Sequence, residues 1–598
     1  MKKLSLKTIK VLPFLVKDGI LDSINETEET TMKFSEIEYS RVDMEALKAG
    51  LADMIQRFTN AQTFEEAEAV YLEMNKAEDE SVRTMRTVAQ IRRDIDTRDE
   101  FYDGEIAFYN RELPTIQPLK KQWTEALLAS PFRKQFEEKY GAVPFINADM
   151  ANKTFKPELV EDLQKESALV MEYTKIIASA QIDFRGEKLT LSQLSPYKLS
   201  PDDDTRREAW KADGAWYNAQ GPELDRIYDE LVKLRDGMGR KLGYEGYTQL
   251  GYYRMKRNCY TEQDVDQFRT AVQNYLVPVV KKMYMKQAQR MGYEFPLSFA
   301  DKDLTFRSGN PKPVGDPAQI LANGTKFYSE LSPETKEFWD HMMEDEMMDV
   351  ESKPGKASGG YCTSIQALRT PFIFANFNGT AHDVEVITHE AGHAFAAWVN
   401  RNRTPADVIW PSLEGCEVHS MSMEFFAEPW SDLFFGKDSQ KFLYTHLAGA
   451  LSFIPYGTMV DHFQHIIYEY PEFGPAERHQ VWQELLGVYM PWVRPDDIPF
   501  YGEGKGWQRQ SHIYKTPFYY IDYCLAQTVA LNFWSKIQED REKAWQTYMA
   551  YTSLGGTMVF TDLLKAAGLE SPFDPACLKN ISAKAAAFLE TFDLESME

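Results

Sequence analysis

Two histidines four residues apart, with a glutamate directly after the first, are the feature that most constrains this chain. They lie in the stretch His389-Glu-Ala-Gly-His393. Because an α-helix turns once in about 3.6 residues, positions i and i+4 share a face and both imidazoles can reach one metal ion. Glu390 points about 100° away around the helix and can instead take a proton from water at the metal. The motif therefore predicts a helix that carries a zinc site.

A catalytic zinc ion usually has three protein ligands and one open position, so a third ligand is expected elsewhere. The extended three-histidine motif requires a glycine and a histidine shortly after His393, but Ala396 and Val399 occupy those positions. A downstream carboxylate must therefore serve. Glu417 follows His393 by 24 positions, which leaves room for a return turn between two helices.

Three stretches together point to a known family: HEAGH, the downstream EVHSMSME and the later SHIYKTPFYYIDY. With them the chain resembles the thimet oligopeptidase and oligoendopeptidase F family of zinc peptidases, and oligoendopeptidase F-like members most. The resemblance spans roughly residues 200 to 590. It implies a mainly α-helical peptidase with a deep substrate channel. It also implies one Zn²⁺ per chain held by His389, His393 and Glu417, with Glu390 as the catalytic base.

Peptide hydrolysis also needs hydrogen-bond donors for the oxygen that becomes negative in the transition state, and His and Tyr side chains can supply them. The resemblance implies that His512, Tyr520 and Tyr523 contact the substrate and stabilise the tetrahedral intermediate. The spacing fits the thimet branch only with a one-residue shift, so the choice of tyrosine stays open. Tyrosines at this density are otherwise amphipathic packing residues.

The segment Pro371–Phe377 is rich in residues typical of strands and follows a stretch that contains Gly359 and Gly360. This pattern predicts a small β-hairpin beside the metal helix. The outer strand of such a hairpin can pair with the main chain of a peptide, which binds many sequences. A plain core strand is the alternative interpretation.

Metal-bound histidines normally donate their second ring N–H to an acceptor that fixes the orientation of the ring. Glu424, two helical turns after Glu417, and Glu385, one turn before His389, are the candidate acceptors. Glu385 can equally be a helix N-terminal charge that the helix dipole favours.

Other histidines are weaker candidates for metal binding. We expect no metal at His382 or His419. His462 and His465, with Glu469 one turn further on, have a spacing conceivable for a second metal, but no known motif supports this trio.

At 598 residues the chain is too long for one ordinary core, so we expect two or more packed units. We predict an N-terminal extension at residues 1–31, an N-terminal helical domain at 32–200 and a catalytic domain at 201–598. Prolines and charges between Ser195 and Asp204 mark the second boundary.

The formal net charge is −24 and no basic stripe stands out, so no nucleic-acid partner is predicted. No window approaches the ~20 uninterrupted apolar residues of a membrane span, so no membrane partner is predicted either. Five scattered cysteines favour a reducing, cytoplasmic environment. Oligomeric state is not readable from the sequence.

The leading hypothesis is a zinc-dependent endopeptidase that hydrolyses internal bonds of short unstructured oligopeptides. The alternative is a non-catalytic helical peptide-binding protein with a structural zinc. A structural site needs a fourth protein ligand, and Cys416 is the nearby candidate. Without that role, Cys416 is a packing residue.

Overall fold

Long α-helices joined by short connections make up most of the structure, a computed structural model that describes residues 32–495 and 498–598. The prediction of a mainly α-helical fold is confirmed. The predicted extension at residues 1–31 lies outside the described residues. Within the described ranges, no helix has the length and apolar character needed to cross a membrane.

Seven helices form the N-terminal part of the described chain. They are α1 (Met44–Asn60), α2 (Phe64–Glu78), α3 (Thr84–Ile95), α4 (Glu100–Ala129), α5 (Arg133–Tyr140), α6 (Val143–Asn152) and α7 (Val160–Ala178). Residues of α1 to α6 enclose a hydrophobic core that includes Tyr71, Tyr109 and Phe136. Tyr173 of α7 instead belongs to a second, larger core. Helix α3 contributes to both cores, since its Val88 and Ile91 belong to the larger one. The domain boundary near residue 200 stays a prediction.

The larger core is built mainly by the helices that follow. The first seven are α8 (Leu191–Lys198), α9 (Asp203–Leu242), α10 (Tyr247–Arg254), α11 (Glu262–Ala271), α12 (Val277–Met291), α13 (Pro317–Leu331) and α14 (Pro333–Glu344). The next five are α15 (His382–Asn400), α16 (Leu413–Phe426), α17 (Ser431–Phe435), α18 (Ser439–Glu469) and α19 (Pro475–Tyr489). The last five are α20 (Ser511–Lys515), α21 (Tyr520–Glu539), α22 (Arg541–Thr552), α23 (Phe560–Ala566) and α24 (Pro575–Leu589).

Helix α9 shows how local sequence sets these boundaries. The Asp202 carboxylate accepts a hydrogen bond from the Thr205 N–H at 2.8 Å, which caps the first turn. Gly243 ends the helix with φ of 97°, a left-handed conformation that glycine adopts without a steric penalty. Between them, Leu224 and Leu231 recur on the buried face, as the helical spacing predicts.

In the described residues, seven short strands form three small sheets. Antiparallel β1 (Ile182–Phe184) and β2 (Glu187–Leu189) make one, and parallel β3 (Leu297–Ser298) and β7 (Val493–Arg494) make another. The third has the order β4 (Met348–Glu351), β6 (Thr370–Phe377), β5 (Tyr361–Ile365). Strands β5 and β6 are the predicted hairpin, with Cys362 opposite Ile373. The strand that contains Pro371–Phe377 is central and buried, and β5 is the free edge.

Candidate metal centre

Helices α15 and α16 lie unusually close together because residue 392 is a glycine. A Cβ atom at Gly392 would lie 2.6 Å from the Cα of Ser420 and 2.8 Å from the carbonyl oxygen of His419. Side chains do not pack at such distances, so only glycine permits this approach. The contact brings the first half of α16 against the face of α15 that carries His389 and His393.

Glu417 of α16 meets both histidines of α15. Its Oε2 lies 3.3 Å from Nε2 of His389 and 3.3 Å from Nε2 of His393. In the described part of the chain these three form the one group of His, Cys, Asp and Glu side chains placed to share a metal ion. Burial alone would raise the pKa of Glu417, but the charge of His393 and hydrogen bonds with both imidazoles lower it well below its usual range.

A second carboxylate of α16 lies behind His389. Glu424 Oε1 is 2.6 Å from Nδ1 of His389, and its Oε2 is 3.0 Å from Nε2 of His446. His446 in turn places Nδ1 3.2 Å from Glu428 Oε1. Burial raises the pKa of Glu424, but its hydrogen bonds with the two imidazoles outweigh burial and lower it to about 2. Glu424 is therefore the acceptor that fixes the His389 ring.

The other candidate acceptor, Glu385, has a different partner. Glu385 Oε2 lies 3.5 Å from Nδ1 of His382, one turn away on the same helix. His382 and His419 both lie outside the metal-sharing group of the described residues. The expectation that neither binds a metal stays a prediction.

The trio His462, His465 and Glu469 is not assembled as a metal site among the described residues. His462 Nδ1 lies 3.0 Å from the Tyr489 hydroxyl, and His465 Nδ1 lies 3.1 Å from a carboxylate oxygen of Glu262. Each ring therefore has its own protein partner.

A cavity of about 920 Å³ opens onto the three metal-sharing side chains. Helices α3 and α4 contribute Arg86 and Ile116 to one wall, so the N-terminal helices cover the site. Glu390 lines the same cavity. Burial raises the pKa of Glu390, and the charges of His389 and His393 oppose that rise.

Two family models match the chain. The peptidase M3 N-terminal domain matches residues 34–155, and peptidase family M3 matches residues 329–583. Among solved structures, PZ peptidase A with inhibitor 2 is 44% identical with a TM-score of 0.92, and the match covers 94% of this chain and 100% of that one. The chain belongs to peptidase family M3. A solved structure described as an oligoendopeptidase F from Bacillus anthracis str. Ames is 40% identical, with a TM-score of 0.88. That match covers 94% of this chain and 99% of the other.

Two curated relatives match a shorter part of this chain. Oligopeptidase PepF of Bacillus subtilis (strain 168) is 22% identical over 249 residues, which are 39% of this chain and 36% of PepF. An oligoendopeptidase F homolog of Borreliella burgdorferi is 23% identical over 248 residues, 40% of each chain. The match therefore spans less than two thirds of the length of either relative.

In this M3 chain, His512 and Tyr523 line the cavity beside the metal-sharing group. Gln510 accepts from the Tyr456 hydroxyl at 3.0 Å, so its amide N–H is directed at Nδ1 of His512, also at 3.0 Å. That arrangement places the His512 proton on Nε2, 3.4 Å from the Tyr523 hydroxyl. Burial, with the Lys515 charge, lowers the pKa of His512 to about 4, so the ring is neutral at pH 7.

Tyr520 has a different position. Its ring packs toward α18, against Phe453 and Tyr456, and it is not among the residues that line the cavity. A Cβ at Gly457 of α18 would lie 3.4 Å from the Tyr520 ring, so the two helices are in close contact there. The structure thus brings His512 and Tyr523 to the site and leaves Tyr520 in the adjoining packing; its predicted role in substrate contact stays a prediction.

Tyr519, which the sequence did not single out, is the tyrosine nearest the metal-sharing group. Its hydroxyl donates to Oε1 of Glu417 at 2.7 Å, and its ring packs on Tyr523. Residues 519 and 523 are four apart at the start of α21, whereas residue 520 is rotated by about 100°. This i, i+4 spacing is the sequence signal that identifies Tyr519 once the start of α21 is known.

The edge strand β5 forms another wall of the M3 site. Gly360, Tyr361 and Thr363 line the cavity, and the opposite edge of β5 is paired with β6. A Cβ at Gly360 would lie 3.8 Å from a carboxylate oxygen of Glu390, so this strand runs directly beside the candidate base.

Proposed function

We propose that this chain is a zinc-dependent endopeptidase that hydrolyses internal bonds of short, unstructured oligopeptides. The observation that carries the proposal is the meeting of His389, His393 and Glu417 at a cavity that Glu390 also lines. Membership of peptidase family M3 supports peptide-bond hydrolysis as the reaction. The cavity is lined on one side by α3 and α4, and this covering supports a preference for extended peptides over folded proteins.

The donor set fits zinc. Two imidazole nitrogens and one carboxylate oxygen are the protein ligands of many catalytic zinc sites, and they leave one position open. The Glu424 carboxylate orients His389 so that Nε2 faces the shared position. Tyr519 and Ser420 donate to the two oxygens of Glu417 at 2.7 and 3.2 Å, which restrains the third ligand.

In the proposed mechanism a bound zinc ion supplies Lewis-acid chemistry, which activates water and polarises the scissile carbonyl. Glu390 accepts the proton of the attacking water and passes it to the leaving amine. His512, protonated at Nε2, and the Tyr523 hydroxyl donate hydrogen bonds to the developing oxyanion. The free edge of β5 holds the peptide main chain by strand addition.

The alternative, a structural zinc in a peptide-binding protein, lacks support for its fourth ligand. Within the residues described, Cys416 is not a member of the metal-sharing group. Its Sγ donates instead to the carbonyl oxygen of Pro411 at 3.5 Å. A three-ligand site with an open position favours catalysis over a structural role.

Glu390→Gln tests the proposal against Glu385→Gln, a control one turn away on the same helix. The assay uses peptides blocked at both ends, with products identified by mass spectrometry, because cleavage of a blocked peptide must be internal. We expect Glu390→Gln to lower kcat by about 10²- to 10⁴-fold while zinc stays at one ion per chain. Chelation should abolish wild-type cleavage and added Zn²⁺ should restore it. Wild-type turnover by zinc-loaded Glu390→Gln would refute the assignment.

We also propose a reducing, cytoplasmic setting, with short peptides rather than nucleic acid or membrane as partners. All five cysteines are free thiols. The net charge of −24 supports the absence of a polyanion partner.

A further inference from the structure

A second cavity, of about 350 Å³, adjoins the catalytic cavity at the start of the edge strand. Both cavities are lined by Gly360, and the smaller one also by Gly359. A peptide that follows the free edge of β5 past Glu390 therefore continues directly into the smaller cavity.

Arg509 is an exposed cation on the wall of this second cavity. In the described ranges no carboxylate lies within ion-pair distance of its guanidinium. Its one hydrogen bond goes to the neutral hydroxyl of Tyr501, at 3.4 Å. An arginine stays charged at all ordinary pH values, so this is a permanent positive charge inside a strongly acidic protein. Among the described residues no carboxylate pairs with it directly, and the charge of Asp213 acts on it from beyond ion-pair distance.

The acidic side chains of the cavity are already satisfied by other groups. Asp213 accepts from the Lys198 ammonium at 2.8 Å and from the Tyr501 hydroxyl at 2.7 Å. Asp383 accepts from the backbone N–H groups of Asn378 and Gly379, which lie just before α15, at 2.9 and 2.7 Å. Arg509 is thus left as the cation available to a ligand.

We propose that Arg509 binds a carboxylate of the peptide substrate and so determines specificity in this channel. The inference rests on the proposed peptidase function and adds a substrate class to it: peptides with a negative charge a short distance from the scissile bond. The planar guanidinium matches a carboxylate with two parallel hydrogen bonds, which a lysine does not reproduce. The carboxylate can be the C-terminus of a short peptide or an acidic side chain.

The test compares wild type with Arg509→Gln on matched peptides. One pair differs only in a C-terminal carboxylate against a carboxamide. A second series keeps the carboxamide and places a single Glu or Gln at successive positions around the scissile bond. Arg509→Lys tests the two-hydrogen-bond geometry, and Arg226→Gln, on the outer face of α9, removes the same charge from a position bonded to Glu172, Glu223 and Glu230.

We expect wild type to cleave one charged peptide about 10- to 100-fold more efficiently than its neutral twin, mainly through KM. Arg509→Gln should erase that ratio without changing cleavage of the neutral twin, and Arg226→Gln should keep it. If the C-terminal pair shows this difference, the carboxylate that Arg509 binds is the peptide C-terminus. If the Glu/Gln series shows it, the carboxylate is an acidic side chain. A ratio absent from wild type, or retained by folded Arg509→Gln, overturns the inference. If wild type cleaves no peptide of either kind, the proposed peptidase function itself fails.

Discussion

The close contact of α15 and α16 predicts that Gly392→Ala damages the metal centre, although alanine is the better helix former. The added Cβ would begin 2.6 Å from Ser420 Cα, and ordinary van der Waals contact begins near 3.4 Å. The two helices must therefore separate by about 0.8 Å. Overpacking of this kind costs about 1–3 kcal/mol. The gain in helix propensity, about 1 kcal/mol, offsets only part of it.

The larger effect should be on function, because the separation moves Glu417 away from both histidines. A misplacement near 1 Å at a catalytic group can cost about 100-fold in rate. We therefore expect zinc affinity and kcat/KM to fall by about 10- to 100-fold, while the melting temperature falls by only a few degrees. Zinc titration with a competing chelator and peptide kinetics measure the two quantities.

Gly237→Ala is the matched control for that experiment. Gly237 lies inside α9, and a Cβ there meets nothing within 4 Å. This variant should be neutral or stabilised by up to about 1 kcal/mol, with unchanged zinc affinity. If Gly392→Ala also keeps wild-type zinc affinity and turnover, the close helix contact does not set the ligand geometry and the reasoning is wrong.

Three other predictions test the surroundings of the site. Glu424→Gln removes the carboxylate behind the first ligand histidine and should lower zinc affinity about 10- to 100-fold by titration, with Glu385→Gln unchanged. Tyr519→Phe removes the donor to Glu417 and should weaken zinc binding by a smaller factor; equal weakening by Tyr520→Phe would contradict the assignment. Burial lowers the pKa of His462 and of His479 to about 4, so the unfolded chain takes up their protons first as pH falls. Stability should therefore be full above about pH 6.5 and fall between there and pH 4 in thermal melts, with a shallower fall in His479→Asn.

The sequence was most informative where a periodic pattern coincides with a chemical requirement. The spacing of His389 and His393 requires a helix, and α15 provides it. The resemblance then supplied Glu417, whose position depends on how two helices cross and not on their own sequences. The contact that makes the crossing possible, at Gly392, is a property of tertiary packing. Local sequence contains the glycine but not the neighbour it meets.

The sequence does not predict which of the two adjacent tyrosines, Tyr519 or Tyr520, faces the cavity. Phe518 has a left-handed backbone with φ of 68°, and α21 begins two residues later. That turn determines whether Tyr519 or Tyr520 faces the cavity, since neighbouring helical residues differ by about 100°. A non-glycine residue in the left-handed region is uncommon, and no residue in the segment signals it. The one-residue ambiguity in the sequence therefore has a conformational origin.

The contacts behind the ligands were the least predictable part of the site, because they join side chains from separate elements. Glu424 of α16 lies between His389 of α15 and His446 of α18, and Glu428 contacts the other ring nitrogen of His446. The four side chains form a row. Burial lowers the pKa of His446, yet hydrogen bonds with the two glutamates outweigh it and raise that pKa to about 10. A buried row of alternating charges adds little to stability, since desolvation cancels much of the attraction. Its effect is on geometry: a charged His446 keeps Glu424 ionised, and an ionised Glu424 fixes the His389 proton on Nδ1, so that Nε2 stays free for the metal.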